Sequence, residues 1–350
     1  MKSVVMLGPS PASKGGIASV IATLLAHGYA DTGRCRFIAT QVDGSAWRKA
    51  ARAGIALAHC SALLGAGRVS LLHVHVASGA SFWRKAAFIA AARTARCPVL
   101  FHLHGGEFCQ FVDQRLSGAS QRAAVALIAS CAAAFALTGE SAAWLRQRCR
   151  VPVVEVFPNP VAVASVLPRA PGNAVLFIGR LDERKGVFDL LRAFAALAAT
   201  RPAARLVLAG EGDSGAVLAL ARTLGVVDQL SLPGWVGARQ RAALLASAAV
   251  FVLPSHTEQM PMSLLEAMAA GTPVIASDVG AMPHMLGHGR CGFVIPARDA
   301  QGLAAAMARM LDDHLLARTL SACALERVKA EFQVEAVLAR LRRRYQELAV

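Results

Sequence analysis

The stretch Val250–Ser277 reads VFVLPSHTEQMPMSLLEAMAAGTPVIAS. Val250–Leu253 is a continuous apolar run, the pattern of a strand buried on both faces. It ends at Pro254-Ser255, and a polar loop carrying Glu258 follows. Pro261 falls where a first helical residue is expected, because its missing N–H is not needed there. The helix is expected to run to Ala270 and stop at Gly271, with Pro273 opening the next strand. In open α/β sheets, ligands sit at the carboxyl ends of the strands. Glu258 therefore lies on a ligand-binding edge, just ahead of a helix N-terminus whose free N–H groups favour anions. Glu266 lies farther along the helix, between apolar neighbours Leu264, Leu265, Ala267 and Met268. A carboxylate accepts two hydrogen bonds at once, so two of them spaced this way can grip different hydroxyl pairs of one elongated polar ligand.

Working outward, the same alternation fills the chain. Apolar strand-like runs lie at Ser3–Leu7, Phe37–Thr40, Leu71–Val76, Val99–Leu103 and Phe135–Leu137, with helical stretches such as Ile17–Leu25, Trp83–Arg93 and Gln121–Ala129 between them. A Pro-rich stretch interrupts the pattern at Val151-Pro152, Phe157–Pro160, Pro168 and Pro171–Asn173, and reads as a domain linker. A second cycle follows, with strands at Val175–Ile178, Arg205–Ala209, Leu230–Leu232, Val250–Leu253, Pro273–Ala276 and Gly292–Ile295, and a helix at Val187–Ala199. Short apolar strands alternating with longer helices predict parallel sheets covered on both faces. The fold class is α/β, with two doubly wound domains: residues 1–165, residues 172–330, and a C-terminal helix at 331–350 packing back on the first domain. That tail carries Arg340 and the run Arg342–Arg344.

The chain has 350 residues, is 55% hydrophobic and only 17% charged, which excludes an intrinsically disordered chain. Its net charge of +15 is uneven. Residues 1–170 carry 18 Lys and Arg against 6 Asp and Glu, whereas residues 171–350 carry 19 against 16. A basic first half implies an anionic partner, and an anionic membrane surface fits it. A nucleic-acid partner is not expected, because no basic stripe with interleaved aromatics and no DNA-binding motif is present. The eight cysteines include no CxxC pair, so zinc sites and a disulfide scaffold are not expected, and buried free thiols in a reducing cytoplasm are. Met1–Leu7 is too short for a signal peptide. Ala123–Leu137 is too short to span a membrane and reads as a helix end followed by a buried strand. The expected location is cytoplasmic, peripheral on the inner membrane face.

Other loops carry chemistry too. FIGRLDERKG, Phe177–Gly186, sets Arg180 and Lys185 after a strand, a pairing suited to phosphate. Gly15-Gly16 precedes a helix and allows close backbone approach to a ligand, although it is not GxGxxG and gives no dinucleotide fingerprint. In HLHGGEF, His102–Phe108, His104 is expected at the sheet edge, His102 inward, and Glu107 as a weaker candidate for ligand contact. His73 and His75 in LLHVHV could ligate metal, but no carboxylate or cysteine cluster accompanies them, so a lining or structural role and no metal site are expected.

Glu258 to Glu266 with LLEAMAAGTPVIASDVGAMPHML resembles the E-x7-E signature of retaining glycosyltransferase family 4, which has the GT-B fold of two Rossmann-like domains facing a cleft. The resemblance spans nearly all of residues 1–330, more weakly in the first half. After the first Glu the family more often has Gly-Phe-Gly or Gly-Phe-Pro; here it is Gln259-Met260-Pro261. The resemblance implies transfer of a sugar, with retention, from a GDP- or UDP-sugar (GDP-mannose favoured) to a glycan or polyprenyl-linked acceptor in bacterial exopolysaccharide or surface-glycan assembly. It implies no metal, no cofactor beyond the nucleotide-sugar co-substrate and no covalent intermediate. His104, Glu258, Arg180 and Lys185 are implied to be catalytic. Gly15, Gly16, Arg180, Lys185, Glu211, Trp235, Val236, Glu258, Met262, Ser263, Leu264 and Glu266 are implied to bind the donor. The alternative is a non-catalytic scaffold of the same fold, suggested by the Gln259-Met260 departure. A sugar-nucleotide epimerase shares the fold, but the E-x7-E context favours transfer.

Overall fold

Two six-stranded parallel sheets organise the chain, one in each of two units: Met1–Pro160 with Val334–Val350, and Val161–Gln333. The structure, a computed structural model, describes residues 2–31, 33–163 and 172–349.

Unit 1 runs β1 (Ser3–Pro9), α1 (Gly16–Ala26), β2 (Cys35–Gln41), α2 (Ala46–Gly65), β3 (Val69–Val76), α3 (Ala80–Thr94), β4 (Val99–Leu103), the short α4 (Phe108–Gln110), α5 (Gly118–Ala129), β5 (Ala133–Ala136), α6 (Gly139–Gln147) and β6 (Val153–Val156). Its sheet order is β2-β1-β3-β4-β5-β6, so the winding reverses between β1 and β3. Unit 2 contains β7 (Ala174–Ile178), α7 (Val187–Thr200), β8 (Arg205–Ala209), α8 (Ser214–Thr223), β9 (Leu230–Gly234), α9 (Ala238–Ser247), β10 (Val250–Leu253), α10 (Met262–Ala269), β11 (Val274–Ser277), α11 (Met282–Met285), β12 (Phe293–Ile295), α12 (Ala300–Asp312) and α13 (His314–Arg327). The final helix, α14 (Val334–Leu348), returns to unit 1.

Central strands are apolar on both faces because helices cover both. Val5, Met6 and Leu7 of β1, Leu72, Val74 and Val76 of β3, and all of β10 are fully buried. The strands read from sequence lie within two residues of those observed. The units meet at Pro160 and Val161, inside the Pro-rich stretch read as a linker, but that stretch also holds a strand. Val153–Val156 is an edge strand paired with β5, and Phe157 stacks on Phe135 with ring centroids 4.2 Å apart. Pro152, placed just before the strand, does not interrupt its ladder. Pro168 and Pro171 lie outside the described residues.

Two further expectations are corrected. Cys291 and Cys323 form a disulfide with Cα atoms 5.0 Å apart, while the other six cysteines are free. They are 32 residues apart in sequence and meet only through tertiary packing, so irregular spacing could not reveal the pair. Pro261 is the N-cap, in extended conformation at ψ 128°, and Met262 is the first helical residue. The helix does end in a Schellman motif: Gly271 has φ +67°, its N–H donates to the Met268 carbonyl at 3.1 Å, and the Thr272 N–H donates to that of Ala267 at 3.0 Å.

Glu155 on β6 holds α14 in place. Arg340 Nε donates to Glu155 Oε1 at 2.6 Å, and Arg344 Nη2 to Oε2 at 2.7 Å. The Arg340 guanidinium also lies 5.0 Å from the centroid of the Phe157 ring. Two of the tail's arginines are therefore neutralised locally rather than added to a basic face. Among the described residues no helix is long and apolar enough to cross a membrane. Ala123–Leu137 divides, as read, into the end of α5 and strand β5.

Candidate active site

The unit 2 order, β12-β11-β10-β7-β8-β9, reverses between β7 and β10. The loops after these two strands therefore flank a topological switch point, where open α/β sheets bind ligands. In the loop after β7, Asp182 accepts the Lys185 backbone N–H at 3.1 Å and closes a short turn over Glu183–Lys185. Gly186 follows with φ +70°, and a Cβ there would overlap the Pro254 carbonyl oxygen. Only glycine lets the two loops come this close.

That approach brings Lys185 and Glu258 together. Lys185 Nζ pairs with Glu258 Oε1, and the same oxygen accepts the Ser255 hydroxyl at 3.1 Å. The pair is mostly buried, with side chains 21% and 11% exposed. A carboxylate held beside an ammonium and ahead of the first turn of α10 suits a ligand with hydroxyls next to negative charge. The rear of the Glu258 loop is fixed as well. The Ala281 N–H donates to the Gln259 carbonyl at 2.7 Å, and Gly280, at φ +59°, packs against the Glu258 carbonyl.

The other expected donor-site residues divide. Arg180 turns outward: it is 73% exposed and bonds Asp182 through Nε at 3.0 Å, so the structure does not bring it to Glu258. Met262 and Leu264 point into the core, and Ser263 is half-buried, so in the first turn of α10 it is the backbone that faces ligand chemistry. Glu266 is mostly buried and paired with Arg241 on α9 at 2.9 Å. Burial pushes its carboxyl above the usual range, and Arg241 opposes the shift. Val236 is buried, whereas Trp235 is 49% exposed and Glu211 is exposed. Sequence reasoning missed His256. Its Nε2 bonds Asp189 of α7 at 2.7 Å, and its N–H donates to the Arg184 carbonyl at 2.8 Å, fastening the Glu258 loop to the Lys185 loop. Its position between β10 and Glu258 was the available signal.

In unit 1, Gly15 caps α1 at φ +124°, with no atom within 4 Å of where a Cβ would stand. Gly16 is the first residue of α1. Both lie beyond the end of β1, at that sheet's own reversal point. His104 follows β4. Its N–H donates to the Val76 carbonyl at 2.9 Å, and its Nε2 bonds His75 Nδ1 at 2.8 Å. Burial pushes its imidazole down to about 3, so it acts as a neutral hydrogen-bonding group around pH 7. Glu107 pairs with Arg115 at 2.8 Å. His102 is buried as expected, and so is His73; both belong to a hydrogen-bonded cluster.

Residues 172–313 match the family model Glycosyl transferases group 1. Among curated relatives, phosphatidyl-myo-inositol mannosyltransferase of Mycolicibacterium smegmatis is 37% identical over 195 residues, covering 53% of this chain and 50% of that protein. Glycogen synthase of Mycobacterium tuberculosis is 35% identical over 171 residues, covering 49% and 41%. The chain spans about half the length of the curated relatives it matches. Of solved structures, sucrose-phosphate synthase from Thermosynechococcus elongatus superposes with a TM-score of 0.81 at 20% identity, covering 99% of each chain. Anabaena HepE in complex with UDP-glucose superposes with a TM-score of 0.78 at 18% identity, covering 99% of this chain and 100% of the other. The fold is that of the GT-B glycosyltransferases, as the sequence resemblance implied. The matched segment contains Lys185, Glu258 and Glu266, while Gly15 and His104 lie outside it.

Proposed function

We propose that the chain is a retaining glycosyltransferase moving a sugar from a nucleotide diphosphate sugar to a glycan or lipid-linked acceptor in bacterial polysaccharide assembly. The observation that carries this reading is the Lys185–Glu258 pair at the switch point of unit 2. A bound donor substitutes its own groups for the ion pair. Lys185 turns to the diphosphate, and Glu258, freed on one oxygen, accepts sugar hydroxyls. As the bond from the anomeric carbon to the diphosphate breaks, negative charge grows on the leaving group. Lys185, the α10 N-terminus and Arg180, swung in from solvent, stabilise it. This assigns the leaving-group charge to protein groups rather than to a metal. Glu258 orients the sugar, the new bond forms to the acceptor oxygen on the face the diphosphate leaves, and the acceptor hydroxyl's proton passes to the departing diphosphate. HepE, crystallised with UDP and UDP-glucose, supports a nucleotide-sugar donor.

Thermal unfolding with millimolar UDP, GDP or ADP tests the donor site and names its base. A nucleotide at about 100 times its Kd stabilises by roughly 2.7 kcal/mol. One of the three is expected to raise Tm by several degrees, and the shift should vanish in the double variant Arg180→Ala, Lys185→Ala. No shift with any nucleotide would favour a non-catalytic scaffold.

The acceptor side of the proposal rests on unit 1. Helix α2 exposes Trp47 (79%) and Ile55 (64%) and carries Arg48, Lys49 and Arg52. Between α2 and α3 lies a cavity of about 470 Å³, floored by Ala50, Ala53, Leu57 and Phe88 and edged by Lys49 and Arg84. Exposed aromatic and aliphatic side chains among cations suit an anionic lipid surface. The phosphatidyl-myo-inositol mannosyltransferase relative supports a lipid-linked acceptor. Co-sedimentation is expected with vesicles containing anionic lipid and not with neutral ones, and Trp47→Ser with Ile55→Ser should weaken it about tenfold. Equal binding to neutral vesicles would remove the electrostatic part of this reading.

A further inference from the structure

Four histidines stand on one face of two neighbouring strands: His73 and His75 on β3, with His102 and His104 at the end of β4. Side chains two residues apart on a strand share a face, and the parallel register sets His75 opposite His102. His73, His75 and His102 are at most 3% exposed. One nitrogen from each of these three lies within 4.8 Å of the others.

Their hydrogen bonds leave a patterned gap. His73 Nδ1 bonds the Tyr345 hydroxyl at 2.6 Å, and His75 Nδ1 bonds His104 Nε2 at 2.8 Å. Both β3 histidines thus use Nδ1 outward and keep Nε2 for the cluster. His73 Nε2 meets His102 Nδ1 at 3.1 Å. His75 Nε2 and His102 Nε2 are buried with no partner. Buried polar atoms without partners are uncommon and call for a ligand or a water. A histidine that binds a metal through one ring nitrogen normally anchors the other on a neighbouring group, as His73 does on Tyr345 and His75 on His104.

We infer that His73, His75 and His102 form a binding site for a divalent late first-row metal ion of the zinc class. Two histidines i, i+2 on one strand and a third on the adjacent strand can supply three imidazole nitrogens to a tetrahedral ion, with solvent in the fourth position. Metal binding needs neutral imidazoles. The ion would pin β3 to β4 and, through Tyr345, to α14. This inference is independent of the proposed activity.

The test uses the full chain without a histidine tag, stripped with chelator and titrated with Co²⁺ at pH 8. One equivalent is expected to bind and give the intense visible absorption of tetrahedral Co²⁺, which Zn²⁺ then displaces. His102→Leu should abolish the band. Tyr345→Phe should retain the band but weaken affinity about tenfold, as loss of a ligand's anchor does. The exposed His284, near His288 in unit 2, provides the control, and His284→Asn should change nothing. Should His102→Leu not fold, imidazole ¹⁵N shifts on adding Zn²⁺ to the unmutated chain are expected at His73, His75 and His102. Absence of a band, its survival in folded His102→Leu, its loss in His284→Asn, or shifts confined to other histidines would each overturn the site.

Discussion

Lys185→Ala is expected to lower the transfer rate by about 10²–10³-fold while leaving the protein folded. The rate loss follows from position. Lys185 is held by Asp182 and Gly186 at the switch point and aimed at Glu258. A preorganised group facing the charge that develops on a leaving group typically contributes a factor of that size when removed. Stability should also fall, by about 3 kcal/mol, because the mostly buried Glu258 carboxylate loses its ammonium and keeps only the Ser255 hydroxyl as a donor. Arg180→Ala should cost less, since its side chain must leave solvent and Asp182 to act. Glu258→Gln keeps the shape and removes the charge, so it should lose donor orientation and turnover together. Initial rates at saturating donor, read as nucleotide release, separate these cases. An unchanged rate in Lys185→Ala would sink the assignment of this pair to the donor site.

Gly186→Ala should damage both the fold and the site. At φ +70° an alanine pays the left-handed backbone penalty of roughly 1–2 kcal/mol. Its methyl would also overlap the Pro254 carbonyl, which belongs to backbone and cannot rotate away. The sum should fall near 3–5 kcal/mol, at the upper end of single-residue effects. Any relief must separate the β7 loop from the β10 loop and with them Lys185 from Glu258. Urea unfolding should show the lower midpoint, and the surviving folded fraction should bind nucleotide poorly. An alanine variant with unchanged midpoint and nucleotide shift would mean that the close approach does not hold the site.

What could be read in advance depended on how local the signal was. Strand runs, the Gly271 helix stop and the Lys185 and Glu258 loops are written in consecutive residues, and the parallel sheets follow from them. Partners contributed from elsewhere were not visible. Arg241 reaches Glu266 from a different helix, and His256 finds Asp189 across two loops. Cys291 meets Cys323 only after α13 has packed. The histidines of β3 and β4 read as two separate pairs, because only strand register shows that His75 faces His102. Pro261 lies one position before the helix that its residue type leads one to expect it in: its ψ of 128° makes it the cap, and the helix starts at the next residue.

The return of α14 to unit 1 bears on how the chain is made. Unit 2 is one uninterrupted segment, Val161–Gln333, and can close as soon as it clears the ribosome exit tunnel. Unit 1 emerges first yet finishes last. Until residues 334–348 are synthesised, Tyr29 lacks Tyr345, its edge-on partner 6.3 Å away, His73 lacks that same hydroxyl, and Glu155 has neither arginine. A nascent chain stalled before residue 334 should therefore expose an unfinished apolar face on its earliest part, making that part the natural client of a chaperone.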